Sequence, residues 1–169
     1  TNSADVQTKL KSFPDVQQVD IIQAQSSTPT LATLQQYSAV MIWSNYGLTD
    51  ANTLGNNLAD YVDSGGGVVL AVFAFNGGSM GPSGRFITGG YQVIPYSGST
   101  YTASTLGTIH VANHPMMTNV NTFSTQMYRA NSNSVTSGSV KVASFADGLV
   151  LVGTKNINGV ERVDLGFFP

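Results

Sequence analysis

The stretch TDANTLGNNLADYVDSGGGVVLAVFAF, residues 49–75, decides the fold that the sequence predicts. Thr49 or Asp50 is a typical N-cap, and apolar side chains then recur at helical spacing, which predicts an amphipathic helix. Those side chains are Leu54, Leu58 and Val62. The glycines at 65–67 end this helix, and the apolar run 68–73 predicts a strand buried on both faces. A helix followed by such a strand is typical of a parallel α/β domain.

The residues that follow this predicted strand carry no reactive group. In α/β enzymes, catalytic groups lie beyond the carboxyl ends of the strands. Here that position holds residues 73–78, FAFNGG, which include no cysteine, histidine or acidic residue. This lack of a reactive side chain favours a domain that is not an enzyme.

Composition indicates one domain, residues 1–169, with a substantial core, because 41% of the residues are hydrophobic. Charged residues make up only 9%, and the 7 lysines and arginines form no cluster. Phosphate binding needs dense positive charge, so the sequence argues against nucleic acid as a partner. Weak charge repulsion instead favours self-association.

The chain contains no cysteine, which excludes disulfides and thiolate chemistry. Together with many Ser, Thr and Asn residues and few lysines, this composition favours an extracellular or cell-surface location. No apolar run reaches the roughly 18 residues of a membrane span, so none is predicted.

Alternating helix and strand signals are confined to the amino-terminal half. Ser3 and Thr28-Pro29 are typical helix starts. Beyond the glycine-rich loop that follows, the signals are mostly those of strands, and Asn158-Gly159 predicts a closing hairpin. The predicted strands are residues 16–22, 39–44, 68–73, 106–111, 140–145, 149–154 and 160–168.

Three stretches carry a resemblance to a known family. They are YSAVMIWSNYGLTDANTLGNNLADYVDSGGGVVLAVFA (residues 37–74), HVANHPMMTNVNTF (residues 110–123) and GLVLVGTKNINGVERVDLGFFP (residues 148–169). The chain resembles the class I glutamine amidotransferase-like superfamily, in the branch related to trehalose-utilisation proteins. The resemblance implies a three-layer, flavodoxin-like α/β fold with a mostly parallel sheet, and a β-rich carboxy-terminal half that ends in a hairpin.

Two departures from that family matter. Its active members place a cysteine at the turn after the strand at residues 68–73, and this chain has none. Such domains also begin with a strand, placed centrally between those at residues 16–22 and 39–44, and end with a helix. Both elements are missing from this sequence. Three explanations stay open: the chain is part of a longer protein, the strand order differs, or a neighbouring copy fills the slot.

Hydrolase chemistry is one alternative interpretation. Residues 77–81, GGSMG, match the G-x-S-x-G pattern, but Ser79 lies several residues beyond the strand and no helical pattern follows it. His110 falls in an apolar strand, and His114 precedes proline. A Ser79–His114–Asp147 triad can be drawn, although no spacing selects it. The sequence predicts no metal or cofactor site, because no typical ligand spacing occurs.

Aromatic residues near the strand ends suggest a second alternative, a carbohydrate-binding module. Rings surrounded by amides and hydroxyls suit a sugar, although such rings also close the top of a core. The rings at the strand ends are those of Trp43, Tyr46, Phe73 and Phe75. The candidate ligand-binding residues are Trp43, Tyr46, Phe75, Asn76, Arg85 and Tyr91.

The function that the sequence favours is a non-catalytic structural or assembly domain of an extracellular or cell-surface protein. The missing nucleophile, the low charge and the missing terminal elements support it. Such a domain is expected to self-associate into a filament or larger assembly, or to contact other domains of a longer chain.

Overall fold

A computed structural model describes residues 3–169, which form four helices and nine strands. The helices are α1 (Ser3–Lys11), α2 (Leu31–Leu34), α3 (Ala51–Asp63) and α4 (Arg85–Thr88). The strands are β1 (Ala39–Ile42), β2 (Gly67–Ala71), β3 (Ser99–Thr100), β4 (Ser104–Ile109), β5 (Ser124–Thr125), β6 (Arg129–Ala130), β7 (Val140–Phe145), β8 (Val150–Ile157) and β9 (Val160–Leu165). Single 3₁₀ turns lie at Ala74–Asn76 and Pro115–Met117.

Seven strands form one mixed sheet in the order β1-β2-β9-β8-β7-β4-β5, and β3 pairs with β6 separately. Among the strands of residues 3–169, only two pairings, β1 with β2 and β2 with β9, are parallel. The remaining pairings are antiparallel, and the sheet curls into a half-barrel. The predicted three-layer, flavodoxin-like fold with a mostly parallel sheet is therefore wrong.

The physical reason is how the two faces of the sheet are covered. Successive residues of β2 point to opposite faces, so Val68 and Leu70 enter one apolar cluster and Val69 contacts a second. Helix α3 contributes to the first cluster. The second cluster is closed by Met117 of the 3₁₀ turn and by the loop residue Phe123 rather than by an α-helix, so no second helical layer forms within residues 3–169.

The predicted central helix is present. Asp50 is the N-cap of α3, and its side chain accepts hydrogen bonds from the backbone N–H groups of Asn52 and Thr53. All three apolar residues at helical spacing are buried. After the helix, Gly65 has φ of +100°, which only glycine adopts easily. Gly66 packs so closely on the Tyr61 ring that a Cβ there would lie 2.1 Å from the ring.

The closing hairpin is also present. Strands β8 and β9 pair from Val152↔Leu165 to Ile157↔Val160. Asn158 and Gly159 form the turn, with φ of +52° and +89°. Positive φ at both turn positions matches the right-handed twist of the flanking strands, which explains the preference for this dipeptide.

The amino-terminal prediction fails at residues 16–22, which form neither a strand nor a helix. Consequently β1 lies at the edge of the sheet, with β2 as its one neighbour within residues 3–169. No helix in that described part of the chain is long and apolar enough to cross a membrane.

Candidate functional site

The free edge of β1 is the first candidate surface. The sequence from Ser38 to Trp43, SAVMIW, has the continuous apolar character of a strand buried inside a parallel sheet. Val40, Met41 and Ile42 are nevertheless only half-buried. On the side away from β2, the backbone of β1 makes no backbone hydrogen bond to any segment of residues 3–169. Edge strands normally carry charges, prolines or bulges that block pairing, and β1 carries none of these.

The segment at residues 16–23, which has no regular secondary structure, is the second candidate surface. Ile21 and Ile22 are both 39% exposed. Across the described residues, no backbone hydrogen bond joins positions 17–22 to another strand. The segment and β1 thus each present unpaired backbone, and they do not pair with each other.

Side chains, rather than backbone pairing, hold this segment in place. The Gln7 side-chain amide donates to the carbonyl of Val19 at 2.6 Å, and the Tyr37 hydroxyl donates to Asp20 Oδ2 at 2.8 Å. The hydrogen bond from Tyr37 holds the pKa of Asp20 below its ordinary value, with a smaller contribution from Gln18. These anchors are exposed or only partly buried, so their release costs little compared with a buried contact.

A concave site lies beyond the carboxyl ends of β1, β2 and β9. We call it the aromatic pocket; its lining is Asn45, Phe73, Thr125, Gln126, Met127, Tyr128 and Phe168, and its volume is about 310 Å³. The Tyr128 ring meets the Phe73 ring edge-on, with centroids 5.0 Å apart. The Phe168 ring lies 5.4 Å from Phe73. The three rings come from distant parts of the chain, and no local sequence pattern groups them.

The six candidate ligand-binding residues do not line this pocket, whereas Phe73, one of the strand-end aromatics, does. Phe75 is fully buried in the core, whereas Tyr46 is 69% exposed. Arg85 and Tyr91 belong to a different place, because both contact Asp63 near the carboxyl end of α3. The hydrogen bond from Tyr91, and then that from Arg85, lowers the pKa of Asp63. Trp43 is half-buried and Asn76 is exposed.

The Ser79–His114–Asp147 triad is not formed, because each of the three residues has other partners. The Ser79 side chain is exposed, and its backbone carbonyl accepts from Leu48 N–H. His114 instead caps the turn Pro115–Met117, with Nδ1 accepting from Met116 N–H and Nε2 at 3.3 Å from Glu161. Asp147 forms an ion pair at 2.8 Å with the buried Arg129.

A serine–histidine contact that the sequence did not indicate occurs elsewhere. His110 Nε2 lies 3.1 Å from Ser144 Oγ, and Ser144 is only 3% exposed. No acidic residue contacts His110 within residues 3–169, so this pair lacks the third member that orients a catalytic histidine. The same part of the chain contains no group of three or more His, Asp or Glu residues positioned to hold a metal ion.

The chain matches no protein-family model and no curated protein. Its structure is similar to that of the cytoplasmic protein STM1381 from Salmonella typhimurium LT2, with a TM-score of 0.68 and 16% identity over 97% of this chain and 75% of that chain. It is also similar to the cytoplasmic protein STM3548 from Salmonella typhimurium, with a TM-score of 0.60 and 16% identity over 85% of this chain and 66% of that chain. A third similar structure is the mmIFT52 N-terminal domain, with a TM-score of 0.59 and 15% identity over 99% of this chain and 79% of that chain.

These comparisons show the fold alone, and they correct two predictions. The resemblance to the class I glutamine amidotransferase-like superfamily is wrong, because the structural neighbours are other proteins and the sheet is mixed and curled. The extracellular or cell-surface location is also corrected, because both Salmonella proteins are described as cytoplasmic, which points away from it.

Proposed function

We propose that this chain is a non-catalytic assembly domain that associates with a second copy of itself through the free edge of β1. The observation that carries the proposal is the position of β1. This strand is apolar and uncharged, as strands inside a sheet are, but it lies at the edge of the sheet. Backbone groups on such an edge bind an added strand with the same hydrogen bonds that hold a sheet together.

The occupant of this edge is residues 16–23 of the second copy. That segment belongs to no helix or strand of its own copy, exposes Ile21 and Ile22, and has no strand partner among residues 3–169. A reciprocal exchange pairs the segment of each copy with β1 of the other. The contact is then the same on both copies, and it closes as a two-fold symmetric dimer.

Charge supports a second copy as the partner. The stretch 38–49 contains no charged residue, and the whole chain has a net charge of −2 with only 9% charged residues. Two copies therefore approach this edge without strong repulsion. In the donor segment, the one acidic side chain, Asp20, is already engaged by Tyr37.

The chain has no cysteine, so introduced thiols report the contact directly. We expect Ile22→Cys and Met41→Cys proteins, mixed under mild oxidation, to form a disulfide-linked dimer. The matched control is Ile22→Cys mixed with Val140→Cys, since Val140 is exposed on β7 and lies away from the β1 edge. Light scattering over a dilution series is expected to show a dimer that Met41→Lys shifts toward monomer.

Two results would overturn the proposal. One is a folded monomer at every concentration in light scattering. The other is a crosslink formed only within one chain when both cysteines are introduced into the same protein, because residues 16–23 would then occupy their own β1 edge.

A further inference from the structure

The geometry points to a second binding site, and we propose that the aromatic pocket binds a neutral sugar ring. The site is separate from the β1 edge and goes beyond the assembly function. It lies beyond the carboxyl ends of the parallel strands, where open sheets with parallel strands commonly bind ligands. Its lining combines aromatic rings with side-chain amides.

The ring wall offers an apolar surface. Tyr128 packs edge-on against Phe73, and Tyr101 packs edge-on against Tyr128 with centroids 5.3 Å apart. Phe168 completes the wall, and its backbone N–H donates to the carbonyl of Tyr128 at 3.2 Å. Phe73 is only 7% exposed, so it is held by the core while its neighbours face the pocket. A wall fixed in this way stacks on the C–H face of a ring at low entropic cost.

The polar side of the pocket has free hydrogen-bonding capacity. The side-chain amides of Asn45 and Gln126, and the hydroxyl of Tyr128, make no hydrogen bond to any other group in the described residues. Thr125 differs, because its hydroxyl donates to the carbonyl of Met127 at 2.9 Å. Each free amide presents both a donor and an acceptor, which is what a sugar hydroxyl requires.

Charge and size narrow the ligand class. Every lining residue is uncharged, so the pocket offers no counter-charge to a phosphate, a carboxylate or an ammonium group. The side chains of Asn45 and Gln126 are exposed, and a purely apolar ligand would make no hydrogen bond to either amide. The volume of about 310 Å³ is at the lower end for ligand pockets, which suits one or two sugar rings. A neutral ring with one C–H face and several hydroxyls satisfies both sides of the pocket.

The test is an NMR titration of the whole chain with the methyl glycosides of glucose, galactose and N-acetylglucosamine. We expect at least one of them to give saturable shifts of the Asn45 and Gln126 side-chain amides. Gln126→Ala and Tyr128→Phe are each expected to weaken that binding about tenfold, the effect of one lost hydrogen bond. Tyr128→Phe keeps the ring at a position where φ is +64°.

The matched control is Asn121→Ala, which removes an exposed amide from a different cavity and is expected to leave the affinity unchanged. The assignment is overturned if none of the glycosides shifts these amides saturably. It is also overturned if indole, a neutral aromatic probe, saturates the pocket while the glycosides do not. A monomeric protein would refute the assembly proposal without affecting this titration, so the two failures are distinguishable.

Discussion

Arg162 and Asp164 form an ion pair with both side chains fully buried, at a distance of 2.7 Å. The Asp164 carboxylate also accepts from the backbone N–H groups of Val93 and Ile94, at 2.9 and 2.8 Å. Arg162 donates to the carbonyls of Val68 and Tyr91. Burial raises the pKa of Asp164, and the Arg162 charge and the two amides oppose that rise. These two side chains therefore fix the loop at residues 91–94 to the middle of the sheet.

Replacing one member of this pair leaves a buried charge without its partner. We expect Asp164→Asn to lower the free energy of unfolding by about 3–5 kcal/mol, measured by urea denaturation. The matched control is Asp5→Asn, because Asp5 pairs with Lys9 on an exposed face of α1. That change is expected to cost less than about 1 kcal/mol. Equal effects of the two substitutions would contradict the role assigned to the buried pair.

At the scale of elements, α3 depends on a charged cap. Both N–H groups that Asp50 caps lie in the first turn, and the Thr53 hydroxyl also donates to Asp50 Oδ2 at 2.7 Å. The hydrogen bonds from Thr53, backbone first and hydroxyl second, lower the pKa of Asp50. A carboxylate whose pKa is lowered by folding stabilises the protein fully at pH values above its pKa in the unfolded state. That stabilisation is lost as the pH falls through the folded-state pKa.

We therefore expect Asp50→Ala to lower the melting temperature at neutral pH, and the difference from the unsubstituted protein to shrink on acidification. Asp50→Asn is the matched control, because asparagine keeps the cap and removes the charge. Its melting temperature at neutral pH is expected to lie above that of Asp50→Ala. A pH-independent difference between Asp50→Ala and the unsubstituted protein would contradict the charged-cap account. The measurement is thermal unfolding followed by circular dichroism over a pH series.

The elements that the sequence predicted correctly are those specified by local chemistry. Asp50 caps α3, and Asn158-Gly159 turns the hairpin, because each acts through backbone only a few residues away. Residues 16–22 have the apolar character of a strand but form none, since strand formation depends on a partner that local sequence does not reveal.

The candidate sites were hardest to predict because they also depend on residues that are distant in the sequence. The aromatic pocket joins Phe73, Tyr128 and Phe168. Phe73 follows β2 and Phe168 follows β9, so their contact depends on the pairing of these distant strands, and Tyr128 joins them from the segment before β6. Arg85 and Tyr91 were grouped with the strand-end aromatics, but they contact Asp63 of α3 instead. Helix-to-loop packing of this kind leaves no periodic signal in the sequence.

At the scale of the whole molecule, β9 holds the two parts of the sheet together. It pairs in parallel with β2, at Val69↔Val163, and antiparallel with β8. The parallel part, β1 and β2, has no other link to the antiparallel part within the sheet. Helix α1 contrasts with β9, because Val6 is its one buried residue.

Removing residues 158–169 is therefore expected to abolish cooperative unfolding, because β2 and β8 each lose their shared neighbour. The matched control is removal of residues 1–13, which is expected to preserve a cooperative transition at reduced stability. Near-ultraviolet circular dichroism and a urea transition measure both effects. A cooperative transition without residues 158–169 would show that the two parts of the sheet hold together by other contacts.

The position of β9 also determines when the sheet is completed during synthesis. Arg162 contacts the carbonyl of Val68, which lies 94 residues earlier in the chain. While a ribosome is still adding residues 72–159, β2 has been made but its neighbour β9 has not, so this edge of β2 lacks its native partner until β9 emerges. Translation pauses within residues 100–160 would lengthen that period and favour aggregation, so expression yield should respond to codon choice in this region.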